Sequence, residues 1–240
     1  MIIISIKSRL GDQMLKYMAG RALSKSKNTT LCIDLTFSKK NGYYLEDLGF
    51  NPMIMDVNKF QDYHKVKGGS RVFTKKFFKL PNNIILFGLY YHYQYFDSII
   101  EDIRKEIKRV DMEPKTVGIH VRRGDFVTLE NRIPCDTKYI KKAVRKFKSN
   151  RYLITTDDKK WAQRNVLPFV PNAELSSSSN PADDFIKLVS CDKLIISSSA
   201  FSWCAALIAN VPTICPNRWM KAGNKNRTGS QHCPPEWIRI

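Results

Sequence analysis

The chain opens with MIIISI, apolar at every position of Met1–Ile6 except Ser5. A run this short reads as a buried strand. The loop Lys7–Asp12 follows. Met14, Tyr17, Met18, Ala22 and Leu23 then recur at helical spacing and predict a helix over Gln13–Lys27. Thr29–Leu35 predicts a second strand. From about Lys39 to Gln94 no single period dominates; aromatics and lysines are mixed with turn signals at Asn41-Gly42, Gly68-Gly69 and Pro81-Asn82. Tyr95–Val110 predicts one amphipathic helix, with Ile99, Ile103 and Ile107 on its apolar face. Past the polar stretch Met112–Lys115 the alternation becomes regular. Strands are expected at Thr116–Val121, Arg151–Thr155, Lys193–Ser197 and Val211–Cys215. Helices are expected at Thr137–Lys148, Lys159–Asn165, Ala182–Cys191 and Phe201–Asn210. Strands alternating with helices imply parallel sheets covered by helices. The expected fold class is therefore α/β, a compact pair of facing Rossmann-like domains over residues 1–112 and 113–240. Ligands are expected beyond the carboxyl ends of the strands.

Composition narrows the function. The 240 residues are 43% hydrophobic and 26% charged, a globular balance. The net charge is +18, and both halves are basic: residues 1–112 carry 19 Lys and Arg against 11 Asp and Glu, residues 113–240 carry 21 against 11. Such a field attracts polyanions, whether nucleic acid, acidic membrane or a diphosphate, or it simply decorates a solvated surface. No zinc finger, RNA-recognition motif or base-reading basic helix is present, which ranks a nucleic-acid-binding protein below an enzyme and makes no nucleic acid the expected partner. The six cysteines form no C-x-x-C pair, and Cys191, Cys204 and Cys215 lie in apolar runs, as small hydrophobes do. No run of about 18 apolar residues suggests membrane insertion, and Met1–Ile6 is too short for the core of a signal peptide. A soluble, cytoplasmic protein is expected, in which the sequons Asn28-Thr29-Thr30 and Asn226-Arg227-Thr228 carry no glycan.

Three segments concentrate chemistry. His120-Val121-Arg122-Arg123-Gly124-Asp125 takes two arginines off the end of an expected buried strand into a glycine turn. Guanidinium forks suit phosphate oxygens; the alternative is a surface ion pair of Arg123 with Asp125. Ser8-Arg9-Leu10-Gly11-Asp12-Gln13-Met14 places a glycine-bearing loop before a helix, where backbone N–H groups can meet an anion, or where the chain merely turns. Ser198, Ser199 and Ser202 surround another helix start, as caps or as anion contacts. Asp157-Asp158, just past a strand, reads as a helix start rather than a metal site. His64, His92, His120 and His232 lack metal-ligand spacing; His120 reads as a core histidine or a nucleotide contact.

Taken together these segments resemble the α-1,2-fucosyltransferase family. H-x-R-R-G-D is similar to the signature shared by α-1,2- and α-1,6-fucosyltransferases. Ser8–Met14 is similar to G-R-L-G-N-Q-M, with Ser8 for a glycine and Asp12 for an asparagine. Asp184 through Leu194–Trp203 is similar to the acidic residue, apolar strand and S-S-F-S-W turn, with Ala200 for a serine. Leu153–Trp161 and Pro234–Ile238 add weaker matches. The resemblance implies a GT-B-like, metal-independent, inverting glycosyltransferase that requires no cofactor and uses GDP-fucose as donor and a glycan as acceptor. It implies a diphosphate held by Arg122 and Arg123, with Arg9, Gly11, Asp12, His120, Ser198, Ser199 and Ser202 also on the donor and Asp184 at the guanine edge. Residues 113–240 would bind GDP-fucose and residues 1–112 would serve the acceptor. Arg122 would stabilise the leaving group; the candidate bases rank Asp125, Glu130, Asp12. Tyr90–Tyr95 supplies aromatics for sugar stacking or for a core. Asp12 and Ala200 leave room for a member that binds GDP-sugar without turnover. The absence of an anchor suggests a bacterial or viral enzyme.

Overall fold

A computed structural model describes the chain except residues 37, 39–41, 61 and 222–228. Asn41 and the Asn226-Arg227-Thr228 sequon thus lie outside the described residues. The chain divides into two compact units, Met1–Lys108 and Arg109–Ile240.

In the first unit, strands β1 (Ile2–Ser5), β2 (Leu31–Asp34), β3 (Met53–Ile54), β4 (His64–Val66) and β5 (Ile84–Leu86) form a parallel sheet in the order β3-β2-β1-β5-β4. β1 is central and buried along its length. Helix α1 (Leu10–Ser26) follows it. It begins three residues before the position that periodicity suggests, because the Arg9 carbonyl already accepts the N–H groups of Asp12 (3.0 Å) and Gln13 (3.1 Å). The buried Gln13 side chain locks this start. It donates to the carbonyls of Ser8 (2.8 Å) and Gly42 (2.9 Å) and accepts the Tyr44 N–H.

The long helix expected at Tyr95–Val110 is corrected to α2 (Ile100–Glu106), seven residues preceded by a 3-10 turn at Tyr93–Tyr95. Tertiary contacts hold both ends out of the helix. The Tyr95 hydroxyl donates to the Val72 carbonyl at 2.9 Å and accepts the Thr74 N–H at 3.0 Å. At the other end Ile107 is extended, and the Lys108 N–H goes to the Leu48 carbonyl (2.9 Å). Ile99, Ile103 and Ile107 are buried as a face, as the pattern requires.

The second unit carries β6 (Val117–Val121), α3 (Thr137–Lys146), β7 (Tyr152–Thr156), α4 (Lys159–Asn165), β8 (Ala173–Leu175), α5 (Pro181–Val189), β9 (Lys193–Ile195), α6 (Ala200–Ala209), β10 (Thr213–Cys215) and β11 (Ile238–Arg239). Its sheet is parallel, in the order β11-β10-β9-β6-β7-β8. Counted from β6, this is the 3-2-1-4-5-6 order of a Rossmann sheet, with its switch point between β6 and β9.

Both faces of β6 are covered, which is why its sequence is almost wholly apolar. Val117, Ile119 and Val121 pack with Ile140, Ala143, Ile154 and Ala162 of α3, β7 and α4. Gly118, on the opposite face, lets α5 approach: a Cβ there would lie 2.7 Å from Leu194 and 3.0 Å from Leu188 and Cys191. His120 shares that face by period two. The α/β architecture expected from the alternation is the one observed, with β3, β4, β5, β8 and β11 as additional short strands.

Candidate functional site

The switch point gathers the second unit's chemistry. β6 ends in His120-Val121 and turns into Arg122, while β9 runs on into Ser197, Ser198 and Ser199. Ser197 bridges the two segments. Its Oγ accepts the Arg122 N–H at 3.1 Å and lies 2.8 Å from His120 Nδ1. We assign the Ser197 proton to Nδ1, which leaves the imidazole N–H on Nε2. His120 is 6% exposed. Burial pushes its pKa down to about 3, and the Arg122 charge adds to the effect, so the ring is neutral.

Arg122 is gripped from two sides. Its Nη2 pairs with Asp125, three residues on, and its Nη1 lies 2.6 Å from Asp157 Oδ2 on the loop after β7. Its guanidinium also covers the Phe126 ring, at 4.9 Å from the centroid. Arg123 turns elsewhere. Its Nη1 donates to the Cys135 carbonyl (2.7 Å), its guanidinium stacks on Trp161 at 3.9 Å, and its Nε lies 3.7 Å from Asp158. Asp125 thus pairs with Arg122. Among the described residues the buried Nε atoms of both arginines have no hydrogen-bond partner.

Asp157 organises the turn as well as the side chain. Its Oδ1 accepts the Arg123 N–H at 2.8 Å. Its Oδ2 occupies the space beside Gly124, where a Cβ would come within 2.3 Å. Only glycine leaves room for that carboxylate. Asp158 caps α4 by accepting the Trp161 N–H (3.1 Å), as two aspartates after a strand suggest.

The serines have protein partners. Ser199 caps α6, accepting the Phe201 N–H (3.3 Å); the Ser198 hydroxyl donates to the Ile133 carbonyl (3.0 Å); the buried Ser202 hydroxyl reaches the Ser197 carbonyl (3.4 Å). Asp184 lies in the first turn of α5 and accepts from the Ser176 hydroxyl. Burial raises its pKa, opposed by Ser176 and Lys187. It joins the His120 face through rings: Phe201 lies 5.0 Å from His120 and 5.3 Å from Phe185, the residue after Asp184. Glu130 is exposed beyond this cluster.

The remaining predicted residues lie in the first unit. Arg9 is the N-cap position of α1, and Gly11 and Asp12 form its first turn. Asp12 contributes to the electrostatics of the buried Lys16, and a carboxylate suits a helix N-terminus. The residues Tyr90–Tyr95 supply a core: Tyr90, Tyr91 and Tyr95 are buried, and Tyr90 and Tyr95 pack on Phe77. Among the described residues no three His, Cys, Asp or Glu side chains are grouped to hold a metal ion, and no helix is long and apolar enough to cross a membrane.

Two members of this cluster escaped the sequence reading. Asp157 was legible only as a helix start, and Ser197 only as the end of a strand. The signal for both is strand adjacency: β7 and β9 flank β6, so the residues after them meet those after β6.

The sequence profile described as Glycosyl transferase family 11 matches residues 1–240. The chain belongs to this family. The family 11 chain is 22% identical to the α-1,2-colitosyltransferase of Escherichia coli, in an alignment covering 100% of this chain and 98% of that protein. It is also 22% identical to the mouse (Mus musculus) galactoside 2-α-L-fucosyltransferase Sec1, over 100% of this chain and 74% of that protein. Among solved structures, the fucosyltransferase NodZ of Bradyrhizobium superposes with a TM-score of 0.55 at 17% identity, over 88% of this chain and 93% of NodZ. A NodZ crystal soaked with GDP-fucose gives 0.50. The fold of the family 11 chain is therefore that of the GT-B-like fucosyltransferases.

Proposed function

We propose that the chain is an inverting, metal-independent glycosyltransferase that moves L-fucose from GDP-fucose to a hydroxyl of a terminal galactose or related sugar, forming an α-1,2 linkage. The observation that carries this reading is the assembly at the Rossmann switch point. An arginine fork, a neutral buried histidine and the N-terminus of α6 converge on the carboxyl ends of β6 and β9. Ligands of open parallel sheets bind at such points, and helix N-termini and guanidinium groups favour phosphate. The family, the names of the relatives and the NodZ crystal soaked with GDP-fucose support the donor.

Transfer would proceed by one displacement at the anomeric carbon. Negative charge grows on the departing diphosphate, and Arg122 faces it. One fixed donor of this kind is worth about 3 kcal/mol. Asp184 would read the guanine edge, and Asp125 would take the acceptor proton. A second reading keeps the mechanism and changes the sugar, because the relative aligned end to end is named a colitosyltransferase.

The test is calorimetric titration with GDP, GDP-fucose, GDP-mannose and UDP-galactose in EDTA, with Arg122→Ala alongside, followed by transfer to galactose-terminated acceptors. Binding of guanine nucleotides lost in the variant, and transfer of fucose, are expected. Turnover of GDP-colitose but not GDP-fucose selects the second reading. No guanine-nucleotide binding by folded protein overturns both.

A further inference from the structure

The two carboxylates on Arg122 are held in different ways. Asp157 is anchored: Oδ1 takes a backbone N–H, Oδ2 takes the guanidinium, and Gly124 is cut away to receive it. Asp125 belongs to the short 3-10 turn Gly124–Val127 and has a side chain 41% exposed, against 26% for Asp157. The local charge balance is equally informative. Among the described residues Arg122 and Arg123 stand beside Asp125, Asp157 and Asp158, and Arg132 shares the Phe126 ring with Arg122 at 5.1 Å, so carboxylates offset much of the positive charge that a diphosphate would meet there. Carboxylate and phosphate oxygens compete for the same fork.

We propose that Asp157 is the positioning residue that aims Arg122, and that Asp125 is an exchangeable stand-in for a phosphate group, leaving Arg122 when a diphosphate arrives. This rests on the reading that a diphosphate binds at the switch point. Exchange links two events. Donor binding releases a carboxylate three residues from the arginine that now holds the leaving group. The acceptor oxygen then bonds to the anomeric carbon and the bond to the diphosphate oxygen breaks, its electron pair leaving with GDP. The hydroxyl proton passes to Asp125. Without donor, Asp125 stays paired and the base is masked.

The experiment compares wild type, Asp125→Asn and Asp157→Asn, each keeping side-chain shape while removing charge. GDP affinity is measured by calorimetry. The rate at which phenylglyoxal modifies Arg122 without nucleotide is measured by peptide mass spectrometry, and melting temperatures are recorded. Asp125→Asn is expected to bind GDP at least about fivefold more tightly, because a competing charge is gone, and to expose Arg122 to faster modification. Asp157→Asn is expected to bind GDP about tenfold more weakly at a similar melting temperature. A purely structural role would lower the melting temperature instead. Weaker GDP binding by Asp125→Asn overturns the stand-in, and wild-type affinity in Asp157→Asn overturns the positioning role. If wild type binds no GDP, the proposed function fails. The modification rate still decides the contact: no acceleration in Asp125→Asn means that Asp125 does not hold Arg122.

Discussion

The central strands of the two sheets end in polar networks of opposite character. β1 stops at Ser5, whose carbonyl takes the Lys16 ammonium at 2.7 Å and whose hydroxyl donates to Asp34 at 3.0 Å. Lys16 is 2% exposed and Asp34 0%. β6 runs into Arg122, whose side chain is 15% exposed, and Asp125, at 41%. The first network is sealed, and Asp34 also takes the Thr36 N–H at 3.1 Å. The second leaves the Arg122 Nε without a hydrogen-bond partner among the described residues, and a solute can reach it. Desolvated polar groups with no route to water tie a fold together. The same groups left at a crevice can trade partners.

That contrast can be broken by substitution. The largest effect is expected at the reachable network: Arg122→Ala should lower kcat/KM for transfer about a hundredfold, near 3 kcal/mol, with little change in melting temperature. Retained activity would move the chemistry away from the switch point. Lys16→Met, at the sealed network, should cost about 1–3 kcal/mol in denaturant unfolding by stripping the Ser5 carbonyl of its donor, while the folded fraction binds GDP as wild type does. Loss of GDP binding there would erase the distinction. His120 gives a pH signature. Its folded pKa of about 3 lies below the unfolded value of 6.5, so between them the unfolded chain binds a proton that the folded chain refuses. Stability therefore falls as pH drops through that window, by up to about 1.4 kcal/mol per unit. His120→Asn should remove that slope when unfolding is followed from pH 7 to 4. The smallest effect is expected at Ser199→Ala, about 1 kcal/mol for a lost cap of α6, read as a shift in denaturant midpoint.

Periodicity served the two units unequally. In the second, apolar runs of three to five residues alternate with helices of seven to ten, and all elements but the short strands β8 and β11 could be read within about two residues. In the first, the stretch from Lys39 to Gln94 holds β3, β4 and β5, only two or three residues each. Segments that short complete no period, and their pairing is decided by distant partners. The same limit explains the overlong helix at Tyr95. Its apolar spacing was real, but the Tyr95 hydroxyl bonds to the segment at Val72–Thr74 are visible only in three dimensions. At the site, His120, Arg122 and Asp125 stand in one contiguous motif. Asp157 and Ser197 enter from 35 and 75 residues downstream of Arg122, with the strand order alone bringing them close. The fucosyltransferase resemblance drew the family correctly because it rests on contiguous motifs. It said nothing about which carboxylate grips which arginine.

The bond between Ser197 and His120 closes a loop of 77 residues. β6 meets β7 after a short excursion through α3, but it meets β9 only after α4, β8 and α5 have been made. Non-local pairings of this kind carry the loop-closure entropy and are late steps in folding. The switch point is therefore absent from any partly folded chain that stops before β9. Such a chain would already own the complete H-x-R-R-G-D segment and still have nothing to hold its histidine. Recovery of nucleotide binding during refolding should lag behind recovery of helical circular dichroism, making ligand affinity the more demanding report of a finished molecule.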